Sequence, residues 1–518
     1  MPQLLTLAEV VAAQARQQPA KIGARDSKRA VTFAQWHERA SRLANALVGL
    51  GLAKGDRVAV LAYNRLEWME IYVALASAGL IAVPINFRLI ADEVAYIAQH
   101  CDARAFIVQD VLADRVADIV DQLDIPVARY VLIGDGEAPG DWQRYESLLE
   151  RAAPSPLSTP IDDRDTWALM YTSGTTGRPK GAVRSHRGSA LISLVTALDV
   201  GFTRDDAALL VMPMCHANSL YFSFTLTYCG GTCVIDDSAS FDPERVLAAL
   251  GRGVTFTSLV PTHYIMMLAL PDATKKRHDV RAIDKLMCSS APVRRDTKLG
   301  ILEQFPNSRL FELYGSTEAG WVTLLRPDEQ LTKLGSVGRE WTGSGAIKLL
   351  DGDGVEVNEG EAGELFSNTP YAFDGYWKNP EKTAEAFRGA WCSVGDIARR
   401  DSEGYYYLVD RKSNMIISGG ENVYPSEVEQ LLGQHPAVKD VAVVGLPHEK
   451  WGEAVHAALV LHDGADLDEP SMLAWCRDRI AGYKRPRSVS FHADAWMPRT
   501  ATGKVQHRVL RERLQRSG

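Results

Sequence analysis

Residues Tyr171 to Gly181 read YTSGTTGRPKG, and the reading of the whole chain turns on them. The apolar run Trp167–Tyr171 has the length and composition of a strand. It leads into a loop of Thr, Ser and Gly, then Lys180, with a helical pattern starting at Ser185. Three Thr, one Ser, three Gly and two cations fall within these eleven residues. Glycines let backbone N–H groups crowd around an anion, hydroxyls donate to it, and Arg178 and Lys180 supply charge. An ordinary polar turn needs no such concentration. The spacing is not that of a Walker loop, which requires GxxxxGK[ST]. A phosphate-bearing ligand is the expectation, held by a loop of another kind.

Outward from this loop, short apolar runs recur at Ala207–Met212, Thr232–Ile235, Val254–Val260, Lys285–Cys288 and Leu310–Leu313. Helical patterns such as Pro243–Leu250, Tyr264–Leu270 and Thr297–Gln304 lie between several of them. Strands alternating with helices predict a parallel α/β sheet with its ligand at the C-terminal strand ends. Upstream, residues 7–20 and 34–50 read as amphipathic helices and Arg57–Leu61 as a strand. After Gly335 the texture becomes Gly-rich, with turn signals at Asp351-Gly352 and Asp353-Gly354, and predicts a small antiparallel or barrel-like unit over about 335–410. A new α/β pattern follows Asp410: helix Pro425–Leu432, strands Val438–Val444 and Ala454–Leu461, helix Glu469–Ile480. The expected architecture is α/β, with a large N-terminal α/β domain (1–410) that includes the barrel-like subdomain, and a small C-terminal α+β lid (411–518).

The chain has 518 residues, enough for several domains with a large core. Lys plus Arg number 57 against 65 Asp plus Glu, a net charge of −8, which argues against sequence-independent nucleic-acid binding. Seven cysteines without regular spacing fit a reduced, cytoplasmic setting. The first twenty residues lack the basic start and apolar core of a secretory signal. The longest apolar stretch, Tyr72–Phe87, is too short and too interrupted to span a bilayer. No nucleic-acid partner and no membrane span are expected; a homodimer stays open.

Four further motifs follow the loop in order. They are Tyr314-Gly315-Ser316-Thr317-Glu318, Gly395-Asp396, Asp410-Arg411-Lys412 with Ser418-Gly419-Gly420-Glu421-Asn422, and Pro498-Arg499-Thr500-Ala501-Thr502-Gly503-Lys504. Together with YTSGTTGRPKG they closely resemble the motifs of the adenylate-forming superfamily, which contains acyl-CoA synthetases, peptide-synthetase adenylation domains and beetle luciferases. The resemblance implies an acid–CoA ligase (AMP-forming) that uses ATP, Mg²⁺ and coenzyme A, with a lid that rotates between two half-reactions. It implies that Thr172, Ser173, Gly174, Thr175, Thr176, Gly177 and Lys180 hold the β- and γ-phosphates. Thr317 would contact the α-phosphate, and Glu318 with Thr176 would hold Mg²⁺. Tyr314 and Gly315, with Ser290 and Ala291, would border adenine. Asp396 and Arg411 would bind the ribose, Gly419 and Gly420, at the start of the lid, would be among the cofactor-binding residues, and Lys504 would bridge substrate carboxylate and α-phosphate as a catalytic cation. Departures from the family pattern fall at Ser289-Ser290-Ala291, Val394 and Ser413.

In PMCHANSL, His216 corresponds by resemblance to a gate beside the acyl carbonyl. Cys215, His216, Cys229 and Cys233 lack zinc-ligand spacing. The absence of a carboxylate in this loop disfavours an amino-acid substrate. The resemblance lines the acyl pocket with Val195, Ala217, Asn218, Leu220, Tyr264, Gly320 and Trp321. An indole across it would favour an aryl or short-to-medium acid; the sequence leaves open whether Trp321 faces the pocket or the core. The competing readings are a carrier-protein-loading adenylating enzyme, a long-chain fatty acid–CoA ligase, and a non-catalytic nucleotide-binding regulator. The last is disfavoured because Lys180, Glu318, Asp396, Arg411 and Lys504 are all present.

Overall fold

The structure, a computed structural model, describes residues 5–172, 178–289, 293–418, 421–477, 479–500 and 503–517. These form two units, Met1–Ala346 with Ser367–Cys392, and Ile347–Phe366 with Ser393–Gly518.

The first unit is built on two large sheets. In the nine-stranded sheet, the strands Ile22–Arg25, Thr232–Ile235, Ala207–Leu210, Phe256–Leu259, Lys285–Ser289 and Arg309–Ser316 run parallel. Antiparallel strands close both edges, Ala30–Thr32 on one side and Gly320–Leu325 with Arg339–Glu340 on the other. The eight-stranded sheet has parallel strands Thr166–Thr172, Ile81–Ile85, Arg57–Leu61, Ala103–Gln109, Tyr130–Ile133 and Gln143–Arg144. The sequence reading expected one parallel sheet; there are two, because the parallel strands before and after Tyr171–Gly181 pair in separate sheets, apart from Ile22–Arg25, which joins the later set.

The main core includes residues of both sheets and the helices Phe33–Gly49, Glu67–Ala78 and Ala217–Cys229. The long apolar stretch falls here. Nearly every residue of Glu67–Ala78 is buried, and the strand Ile81–Ile85 is buried throughout. A helix apolar on all sides needs cover on all sides, which this core supplies. Among the described residues no helix is long and apolar enough to cross a membrane.

A second correction concerns the phosphate loop itself. Lys180–Ser185 is a strand, antiparallel to Thr166–Thr172, so the loop joins two strands of a hairpin rather than a strand to a helix. The helix His186–Val200 follows at once, with the Ser185 hydroxyl accepting from Gly188 N. The alternation that marks Lys180–Ser185 is short and was masked by its two cations.

In the second unit, Asp396–Arg400 pairs antiparallel with Tyr406–Arg411. The C-terminal sheet contains Ile416–Ser418, Glu421–Val423, Val438–His448, Gly452–Leu461 and Ser488–Phe491. Val428, Leu432, Val443, Val455, Leu459 and Met472 fill its core. The predicted helix Glu469–Ile480 is shorter, Glu469–Trp475.

Candidate active site

In the first unit, two hairpins meet at the C-terminal ends of parallel strands. One carries the phosphate loop. The other runs Arg309–Ser316 to Gly320–Leu325, and its turn is Thr317-Glu318-Ala319. The turn is tight: a Cβ on Gly315 would sit 2.3 Å from the Gly320 carbonyl oxygen, so only glycine fits. Gly320 itself has φ +73 and lies against the Tyr371 ring. The Ser316 hydroxyl accepts from Ala319 N at 2.9 Å.

This turn presents the buried carboxylate of Glu318 to the phosphate-loop hairpin. Thr172 Oγ1 donates to Glu318 Oε1 at 3.1 Å, and the Tyr376 hydroxyl donates to the same oxygen at 3.0 Å. Lys180 Nζ stands 4.3 Å from the centre of the Tyr376 ring. Burial pushes the Lys180 pKa down, and the Glu318 charge partly restores it. Thr172, Lys180, Thr317 and Glu318 are thus brought together. Ser173, Gly174, Thr175, Thr176, Gly177, Ser290, Ala291, Gly419 and Gly420 lie outside the described residues. Tyr314 is buried on the strand leading to the turn.

His216 precedes the helix Ala217–Cys229. Its loop is pinned from behind: Asn64 Nδ2 donates to Met212 O at 3.0 Å, Met214 N donates to Asn64 Oδ1 at 2.7 Å, and the Tyr72 hydroxyl donates to Met214 O at 2.8 Å. His216 Nε2 is sealed and has no hydrogen-bond partner among the described residues. Burial, with Arg88 adding to it, pushes the His216 pKa down to about 4, so the imidazole is neutral near pH 7. Asn218 Nδ2 donates to the hydroxyls of Ser258 at 2.8 Å and Ser289 at 3.0 Å.

The expected acyl-pocket residues separate. Ala217 and Val195 are half-buried. Tyr264 is 0 % exposed, donates its hydroxyl to Met287 O at 3.0 Å, and packs in a core cluster with Leu259 and Leu286. Leu220 is a core residue as well. Trp321 is 4 % exposed; its Nε1 donates to Thr196 Oγ1 at 2.9 Å, and its ring stacks on Phe222 with Tyr221 edge-on.

In the second unit, Asp396 and Arg411 are paired, Arg411 Nε lying 3.0 Å from Asp396 Oδ1. Both act on Lys504: desolvation and then Arg411 push its pKa down, and Asp396 pulls it up. The Lys504 side chain is nevertheless exposed, so water blunts these effects. Its backbone is held by a bridge in which Thr500 N donates to Lys504 O at 2.7 Å and Lys504 N to Thr500 Oγ1 at 3.1 Å. Arg499 Nη1 donates to Gly503 O at 3.0 Å. Asp410 Oδ2 accepts from Ser426 N at 2.8 Å, tying the strand Tyr406–Arg411 to the helix Pro425–Leu432. Lys484 Nζ is paired with Glu427 Oε2 at 2.8 Å.

Sequence reasoning passed over Tyr376 and Arg184. Tyr376 sits in YAFDGYW, whose density of aromatics around one glycine was the available signal. Arg184 lies four residues after Lys180, hence on the same face of one strand.

The model of the AMP-binding enzyme family matches residues 11–377, and that of the AMP-binding enzyme C-terminal domain matches residues 427–504. The chain is 36% identical over 503 residues to a feruloyl-CoA synthase of an Amycolatopsis species, covering 97% of both chains. It is 36% identical over 489 residues to the long-chain-fatty-acid–CoA ligase FadD13 of Mycobacterium tuberculosis, covering 93% of each. Among solved structures, the anthranilate CoA ligase AuaEII in complex with anthranoyl-AMP superposes with a TM-score of 0.89 at 28% identity, covering 100% of this chain and 98% of that one.

Proposed function

We propose, from the premise that the chain belongs to the AMP-binding enzymes and is an AMP-forming acid–CoA ligase, that it activates an aryl or short-to-medium-chain carboxylic acid with ATP and passes the acyl group to the thiol of CoA. In the first step a carboxylate oxygen bonds to the α-phosphorus as the bond from that phosphorus to pyrophosphate breaks. In the second, the thiol sulfur bonds to the acyl carbonyl carbon, the bond to AMP breaks, and the thiol proton is released. The balance is acid, ATP and CoA to acyl-CoA, AMP and pyrophosphate.

The observation that carries this reading is the hydrogen bond between Thr172 and Glu318, which joins the phosphate-loop hairpin to the Thr-Glu turn. Adenylyl transfer from a triphosphate needs cations and an oxygen-ligated metal around one anion. Lys180 supplies a cation. Glu318 supplies one buried hard-oxygen ligand, with Thr176 as its expected companion. Among the described residues no three His, Cys, Asp or Glu side chains form a metal cage. One carboxylate completed by phosphates and water suits Mg²⁺. When bound with the nucleotide, Mg²⁺ neutralises charge on the triphosphate.

In this reading Tyr314 borders adenine, and Asp396 with Arg411 holds the ribose. Thr317 contacts the α-phosphate, and Lys504 offsets the repulsion between the acid's carboxylate and that phosphate. Neutral His216, just before the helix Ala217–Cys229, stands beside the acyl carbonyl in this reading. Residues 1–410 and 411–518 act as body and lid. Support for a compact acid is the aromatic group of Tyr221, Phe222, Trp321 and Trp341 beside the turn, in which the Trp321 indole cannot swing away without losing its hydrogen bond to Thr196.

The test is pyrophosphate release across aromatic, short, medium and long acids, with and without CoA. AMP and pyrophosphate are expected, with CoA-dependent thioester and the highest turnover for an aryl or short-to-medium acid. Formation of ADP and phosphate would sink the reading.

A further inference from the structure

Arg184 is 1 % exposed on the strand Lys180–Ser185. Its Nη1 donates to the carbonyl oxygens of Thr317 and Glu318, each at 3.2 Å, and its Nη2 to Tyr371 O at 2.7 Å. The guanidinium lies 5.5 Å from the centre of the Tyr221 ring. No carboxylate among the described residues is hydrogen-bonded to it. Asp374 lies within electrostatic reach of Arg184, but the groups the guanidinium hydrogen-bonds are neutral carbonyls; burying a guanidinium against these is costly, and an apolar side chain would fill the same volume without that cost. What the arginine adds is geometry, since its planar fork holds several acceptors at fixed angles.

Two of those acceptors are consecutive carbonyls of the Thr-Glu turn. Lys180, on the same strand face, stands over the Tyr376 ring, whose hydroxyl donates to the Glu318 carboxylate. Arg184 therefore holds the Glu318 backbone, while Tyr376, on the adjoining strand Gly375–Tyr376 and beneath the Lys180 ammonium, holds its carboxylate.

We propose that Arg184 is a positioning residue for the metal–nucleotide site: it clamps the Thr317–Glu318 backbone so that the Glu318 carboxylate is presented to the divalent cation carried by ATP. The proposal rests on the reading of Glu318 as a magnesium ligand. It concerns binding, so it is tested without turnover. Calorimetric titration with ATP, once with excess Mg²⁺ and once with EDTA, gives two dissociation constants whose ratio is the metal-dependent gain. R184M should cut that gain by roughly tenfold while affinity in EDTA stays within about threefold. R184K, a cation without the fork, should fall between R184M and wild type.

An unchanged gain in R184M overturns the proposal, including the case in which both affinities fall together, because that marks a general structural role. If R184M does not fold, a wild-type gain in R184K overturns it. E318Q separates the two readings. If wild type itself shows no gain, or E318Q keeps it, Glu318 is no metal ligand and the proposal falls with that reading. If E318Q loses the gain and R184M keeps it, only the role of Arg184 is refuted.

Discussion

Asp396 and Arg411 are Cα partners across an antiparallel strand pair, and Arg411 Nε lies 3.0 Å from Asp396 Oδ1. The carboxylate is almost buried while the guanidinium is 47 % exposed. Strand register thus places an acceptor and a donor side by side, the arrangement that the proposed ribose site requires. Arg411 orients the carboxylate, which can then accept from two hydroxyls.

Asp396→Ala should raise the KM for ATP by at least ten- to a hundredfold, the equivalent of losing one hydrogen bond to a charged group at about 1.5–3 kcal/mol. Because Arg411 remains hydrated when its partner is lost, the fold should hold. ATP saturation curves of both proteins check this, and an unchanged KM refutes the ribose assignment.

Lys504→Ala should abolish pyrophosphate release while thioester formation from supplied acyl-AMP continues near the wild-type rate. The ammonium is needed only where two anions approach each other, in the first transition state. The side chain is exposed and its loop is held by backbone bonds to Thr500, so truncation leaves the loop in place. Equal loss in both half-reactions would assign Lys504 a structural role instead.

What the sequence made legible follows from local physics. The strands Arg57–Leu61 and Thr232–Ile235 and the helices Pro243–Leu250 and Pro425–Leu432 coincide with their predicted bounds, since apolar runs between turn or capping residues carry their own boundaries. Thr172, Lys180 and Glu318 were legible as members of ordered motifs, and the structure brings them together. The division into two sheets was not legible, because strand partners are chosen by tertiary packing. Nor was the clamp from Arg184, as a cation on a short strand reads as surface until its carbonyl acceptors are known.

Stability should fall on acidification below neutral pH, and His186 should account for part of the loss. Its ring nitrogens are both buried without hydrogen-bond partners among the described residues. Burial pushes its pKa down to about 4, with Asp165 partly offsetting. The folded pKa lies below the unfolded value of about 6.5, so the unfolded chain binds more protons between these limits. The stabilisation is complete above pH about 6.5 and is lost as pH falls to about 4, a change of roughly 3 kcal/mol for this residue. Calorimetric melting temperatures of wild type and His186→Phe over that range provide the check. The variant should show the shallower decline; parallel curves would mean that the imidazole is already protonated in the fold.

Acid size should depend on Trp321. The indole is held by its bond to Thr196 and by stacking on Phe222, so it is both a core residue and a fixed wall next to Gly320. Removing it wholly in Trp321→Ala should cost about 3–5 kcal/mol of stability, the range for a large aromatic in a packed core. Trp321→Phe keeps the stacking partner, gives up the hydrogen bond, and leaves room for part of an acyl chain. Both variants should shift preference towards longer acids, since each added CH₂ that becomes buried contributes up to about 0.8 kcal/mol. The quantity to measure is kcat/KM for a longer acid divided by that for a shorter one, in protein shown to be folded at the assay temperature. A rise in this ratio, larger for Ala than for Phe, makes Trp321 the limit on chain length. A flat ratio in both folded variants means the indole only fills the core, and some other side chain sets the size of the acid.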